Sequence, residues 1–86
     1  MITIKYKPRF LRDCKKFSEG LMQDLHRSLA LFAKDPQDPS LRIHRLKGPL
    51  KGFLSFSMNY KYRVVFEWES KNVAVLHLVG DHEVYE

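Results

Sequence analysis

The first six residues, MITIKY, put Ile2, Ile4 and Tyr6 at alternate positions, the period-two mark of a short strand. Pro8 then fits the first turn of a helix, where a missing N–H breaks no hydrogen bond. Phe10, Cys14, Phe17 and Leu21 follow at spacings of four, three and four and line one helical stripe. Gly20 stands where it either ends that helix in a left-handed cap or bends it. Leu25, Leu29 and Phe32 carry the stripe into a second helix. Pro36, in DPQDPS, stops it, because the residue before a proline disfavours helical geometry. Two helices joined so closely form a hairpin that needs something flat and apolar to cover.

The runs KGFLSFSM, KYRVVFEW and NVAVLHLV supply that surface, with NY and ESKN as the turns between them. In the middle run Tyr62, Val64, Phe66 and Trp68 share one face, while Lys61, Arg63, Val65 and Glu67 share the other. One face suits helix packing and the other is half polar. The pattern predicts one α+β domain over residues 1–86, ordered β-α-α-β-β-β, with the helical hairpin packed on a mainly antiparallel four-stranded sheet. It leaves the neighbour of the first strand open.

Composition narrows this further. Hydrophobic residues make up 44% of the 86, with six Phe, four Tyr and one Trp, enough for a packed core without covalent staples. Cys14, the single cysteine, has no partner for an internal disulfide, which agrees with a reducing cytosol. No apolar run approaches the roughly 20 residues of a membrane span. The opening MITIKYKPRF lacks the apolar stretch of a signal peptide. The expectation is a soluble cytoplasmic protein.

Charge adds a direction. Fifteen Lys and Arg against ten Asp and Glu give +5. Between Asp38 and Glu67 no acidic residue occurs, yet Arg42, Arg45, Lys47, Lys51, Lys61 and Arg63 all fall there. Lys5, Lys7, Arg9, Arg12, Lys15 and Lys16 form a second cluster. One-signed stretches of this kind favour polyanions, nucleic acid above all, although a solvated basic face or an acidic protein partner accounts for the same charges.

Candidate chemistry is sparse. No metal-ligand spacing occurs, LKGPLKG lacks the ending of a phosphate loop, and no cofactor signature is present. What remains is His44 in LRIHRLKG, Arg63 in the middle strand, and His82 and Tyr85 after the last strand. Two imidazoles flanking an arginine suit RNA cleavage by its own 2′-hydroxyl: one base, one acid, one fixed cation for the phosphorus charge. The plainer alternatives are an exposed loop histidine at 44, a solvated tail at 82, and an Arg63–Glu67 pair within one strand. His77, between Leu76 and Leu78, reads as a structural strand residue.

LKGPLKGFLSFSMNYKYRVVFEW, followed by VAVLHLVGDHEVY, resembles the RelE/ParE superfamily of bacterial toxins, especially its RelE, YoeB and YafQ-like branches. The marks are the Leu-x-Gly-x-x-x-Gly spacing, the Tyr-Arg-Val-Val-Phe strand and the terminal Gly-x-His-x-x-Tyr. The resemblance spans essentially the whole chain and implies the toxin of a type II toxin–antitoxin system. It implies an endoribonuclease that cuts mRNA on the 70S ribosome, held inactive in a hetero-oligomer with a small antitoxin. It further implies His44 as general base, Arg63 on the scissile phosphate, His82 as general acid and Tyr85 in support. Arg42, Arg45, Lys47, Lys51 and Lys61 would hold the RNA; neither metal nor membrane is called for.

Departures from the family pattern also stand out. Ser57 occupies the place of a second histidine in YafQ-like relatives, Lys61 that of an aspartate, and Leu54 and Phe56 positions that are often basic. A cleavage site short of one supporting group implies a weaker nuclease, or one completed by the ribosome. The alternatives within the superfamily are a ParE-type inhibitor of DNA gyrase, without chemistry of its own, and a degenerate toxin that only binds its antitoxin.

Overall fold

The computed structural model describes residues 1–81. A short strand β1 (Thr3–Tyr6) leads into helix α1 (Pro8–Cys14), which opens on Pro8 as anticipated. Helix α2 (Glu19–Lys34) follows. After a 3-10 turn at Pro39–Leu41 come β2 (His44–Arg45), a second 3-10 turn at Gly48–Leu50, β3 (Leu54–Ser57), β4 (Tyr62–Ser70) and β5 (Val73–Asp81). The strands form one sheet in the order β1-β5-β4-β3-β2. β1 runs parallel to β5 and every other pairing is antiparallel.

The α+β class and the element order agree with the pattern, and two details depart from it. The sheet has five strands rather than four, because His44 and Arg45 pair with Ser55 and Leu54 at its edge. Two residues are too few for a periodic signal to reveal. Gly20 neither caps nor bends a helix. The break falls earlier, at Ser18, whose hydroxyl accepts the Leu21 amide at 3.2 Å as an N-cap. Gly20 then lies inside the first turn of α2.

The helices cover one face of the sheet. Phe10, Leu25 and Phe32 pack on Phe56, Val64, Phe66, Ala74 and Leu76, all buried. Phe32 is central: its ring stacks on Phe56 with centroids 4.7 Å apart and meets Phe66 edge-on at 5.0 Å. On the opposite face Leu46, Val65 and Leu78 form a small second cluster with Leu50 and Phe53, which pins the 46–53 loop to the sheet. That loop turns through Gly48 at φ 64° and Gly52 at φ 99°, a region side chains rarely adopt, although a Cβ at either would touch nothing.

Between Val65 and Phe66 the β4–β5 register steps: Val65 faces Leu78 and Phe66 faces Leu76, so His77 is an extra residue in a bulge. Its Nε2 lies 2.8 Å from Glu67 Oε1. Glu67 is thereby occupied by His77, and no Arg63–Glu67 ion pair exists among the described residues.

α2 is also tied to the β3–β4 connection, since Asn59 donates to Asp24 at 3.0 Å. The Asn59 hydrogen bond chiefly holds the Asp24 carboxyl below the ordinary carboxylate range, burial opposes it, and the hydrogen bond and charge of Arg27 add to the lowering. A lowered native pKa means that the unfolded chain binds more protons. The stabilisation is therefore present above about pH 4 and lost as acid protonates the folded carboxylate. Asp24→Asn is expected to lower stability at pH 7 and flatten the acid limb below about pH 4, measured by urea unfolding across pH. Phe32→Ala should lose about 3–5 kcal/mol in the same assay at pH 7.

Candidate RNA-cleavage site

Side chains alternate along a strand, and directly paired residues share a face. His44 faces Ser55, and Ser57, two residues further along β3, faces Arg63. His44 and Arg63 therefore stand on the same face of the sheet, the one opposite the main core. From the register their Cα atoms are roughly 12 Å apart, two strands across and one step along. A long guanidinium stem and an imidazole can close that gap around one phosphate.

Each is prepared locally. His44 is exposed, and its Nδ1 lies 3.3 Å from the Arg42 carbonyl oxygen. A carbonyl only accepts, so Nδ1 carries a proton, and in the neutral ring the lone pair falls to Nε2. Arg63 is part-buried between β3 and β5, and its Nη1 is a buried donor with no hydrogen-bond partner among the described residues. Leaving such a donor unpaired costs about 1–3 kcal/mol, which an anion would recover.

Arg42 completes the set. It holds φ 49°, ψ 48° at the end of the 3-10 turn at Pro39–Leu41, a left-handed conformation costing an arginine about 1–2 kcal/mol. That conformation helps to place its carbonyl against His44. Arg42 and Arg63 both line a cleft of about 280 Å³ whose other walls include Ser40, Ser57, Asn59 and Tyr60. Two arginines and three small polar residues, Ser40, Ser57 and Asn59, thus line one polar cleft. Nothing in the sequence singled out Ser40 or Asn59, because their approach to Arg63 depends on how two separate turns meet.

The other basic candidates divide. Lys47 and Lys51 are exposed on the 46–53 loop, at the rim of the same face. Lys61 is exposed in the β3–β4 turn, with its ammonium 5.8 Å from the Tyr62 ring centroid. Arg45 pairs with Leu54, a helix-side residue, so it projects from the opposite face to His44. His82 and Tyr85 lie outside the described residues. β5 brings the chain to Asp81, one residue beyond the Gly80–Arg63 pair.

Cys14 takes no part. Burial, and after it the charge of Asp13, push its thiol up, and a protonated thiol is no nucleophile. Among the described residues no group of three or more His, Cys, Asp and Glu could hold a metal ion, and no helix is long and apolar enough to cross a membrane.

A family model described as the RelE-like toxin HigB of a type II toxin–antitoxin system matches residues 5–82. The chain belongs to the HigB-like toxins. Solved structures carry the same fold. YafQ from E. coli superposes with a TM-score of 0.78 at 16% identity, over 98% of this chain and 97% of its own. A conserved hypothetical protein of Helicobacter pylori gives 0.72 at 24%, over 96% and 97%. A chain of the E. coli DinJ–YafQ complex gives 0.74 at 16%, over 98% and 97%. At such identities the likeness is one of fold. No curated protein matches the chain.

In this toxin, Arg42→Gly should remove a guanidinium from the cleft and relieve the left-handed strain together. The expected result is unchanged or slightly higher thermal stability with weaker binding of a fluorescent oligoribonucleotide. A marked drop in melting temperature would show instead that the arginine side chain supports the fold.

Proposed function

We propose that this toxin is an endoribonuclease that cuts mRNA by 2′-hydroxyl attack. The observation that carries the reading is the buried Arg63 donor, unpaired among the described residues, on the same sheet face as a His44 ring whose Nδ1 is turned to the Arg42 carbonyl. His44 Nε2 removes the 2′-proton, and the 2′-oxygen attacks phosphorus. Arg63 binds the charge that accumulates on the phosphoryl oxygens, with Arg42 beside it in the cleft. The bond from phosphorus to the 5′-oxygen breaks as His82 protonates that oxygen, with Tyr85 in support. The products are a 2′,3′-cyclic phosphate and a free 5′-hydroxyl.

Lys47, Lys51 and Lys61 hold the strand through its phosphates, which positions RNA without reading sequence. Arg45 would meet RNA only where a strand passes round the edge at β2. Ser57, paired with Arg63, is a hydroxyl where a further imidazole would have helped, so the ribosome is the natural place for the site to be completed. The partners are thus mRNA on the 70S ribosome and an antitoxin. The relative crystallised as DinJ–YafQ supports the second, and the +5 charge favours an acidic antitoxin segment laid over this face.

The test is mRNA cleavage on purified ribosomes with end-group analysis. His44→Ala and His82→Ala should each slow cleavage by on the order of 10²-fold or more, and Arg63→Ala by at least as much, with folding intact. Wild-type chain that leaves message whole while causing DNA damage on induction would transfer the protein to the gyrase-inhibitor class. A chain with neither effect would be an antitoxin-binding relic.

A further inference from the structure

Beside the cleavage site, on the same open face, lies a pocket of about 410 Å³ between α1 and strands β4 and β5. Its apolar surface comes from Leu50, Phe53, Val65 and Leu78. Into this surface the β-bulge turns one polar ring, that of His77, which meets Phe53 nearly perpendicular, with centroids 4.8 Å apart and planes at 72°. Glu67 holds the His77 ring through Nε2 at 2.8 Å. Lys7, Arg9 and Arg12 stand along the α1 side. Arg9 makes only a loose 3.9 Å contact with Asp13, and no ion pair engages Lys7 or Arg12 among the described residues.

We infer that this pocket is a nucleobase subsite for the RNA strand cut at Arg63. The inference rests on the reading of the open face as an RNA site. Three features select a nucleotide over an apolar peptide side chain. Flat ring surfaces at Phe53 and His77 offer stacking to any base, and a nitrogen-bearing ring among aliphatic walls offers a hydrogen bond to a base edge. The three cations at the margin suit a phosphate that stays in solvent while its base goes inward. Position agrees as well: Val65, in the pocket, is two residues from Arg63 on the same strand face, a step of roughly 7 Å that an adjacent nucleotide can cover. A bulge is also a recurrent way for a sheet to re-aim one side chain next to a site.

The experiment is an NMR titration of the full-length ¹⁵N-labelled toxin with AMP and, separately, ribose 5-phosphate. AMP should shift the amides of Val65, His77 and Leu78, and ribose 5-phosphate should bind on the order of tenfold more weakly. Phe53→Leu, which keeps apolar volume but removes the ring, should erase that difference. Arg12→Gln, an exposed change, should weaken both ligands. Equal binding of the two ligands would reduce the pocket to a plain anion site and overturn the inference. Shifts confined to Ser57 and Arg63 would overturn it too, as would a pocket silent to AMP but protected by the antitoxin. If Phe53→Leu does not fold, the comparison of AMP with ribose 5-phosphate on the unaltered protein decides. The cleavage assay separates the two readings. A silent pocket with His44- and Arg63-dependent cleavage removes only the subsite, whereas AMP in the pocket with full cleavage by His44→Ala and Arg63→Ala removes only the reaction assignment.

Discussion

The seating of Phe32 between Phe56 and Phe66 is the contact from which the rest of the structure follows. A fully buried ring at the end of a sixteen-residue helix commits that helix to one side of the sheet. Because strand side chains alternate, it also commits Ser55, Ser57 and Arg63 to the other side. The packing that stabilises the fold and the placing of these polar residues on the open face are one geometric decision. A register slip of one residue in β3 or β4 would undo both, by burying the arginine and exposing the aromatic residues.

With the main core supplied by the helical face, the open face can carry features that a lone sheet would not tolerate. Arg63 keeps a buried donor unpaired among the described residues, Arg42 sits in a left-handed conformation, and the β4–β5 ladder gives up a residue to the His77 bulge. Each costs on the order of 1–3 kcal/mol or breaks regular pairing. Arg42 and Arg63 line one cleft, and the His77 bulge adjoins Val65, two residues along β4 from Arg63. Local costs of this kind recur at binding sites, and the exposed lysines of the 46–53 loop make the surroundings positive, as the proposed RNA site requires. The small cluster of Leu46, Val65 and Leu78 keeps the loop, and hence those lysines, beside the cleft.

Much of this was legible in the residue pattern. The alternation in YRVVFEW separated a helix-packing face from a half-polar one correctly, residue by residue, since burial on one side is all that such a pattern records. Ser18 was missed because an apolar stripe that continues through Phe17 and Leu21 hides a cap that breaks it. β2 was missed because its two residues owe their strand geometry to β3 rather than to their own propensity. His77 reads as an ordinary strand residue between two leucines, and only the ladder register shows it as the unpaired one.

By itself the sequence determined the class, the order of elements, the apolar and half-polar faces of the middle strand and the basic stretch around it. These depend on periodicity and composition, which are local. Only the tertiary structure decided that β1 runs parallel beside β5, that His44 and Arg63 share a face while Arg45 leaves it, and that Arg42 closes the cleft from a distant turn. The physical reason is the same in each case. Strand partners, register and the meeting of separate loops are set by contacts between residues far apart in the chain, and no short window of sequence contains both sides of such a contact.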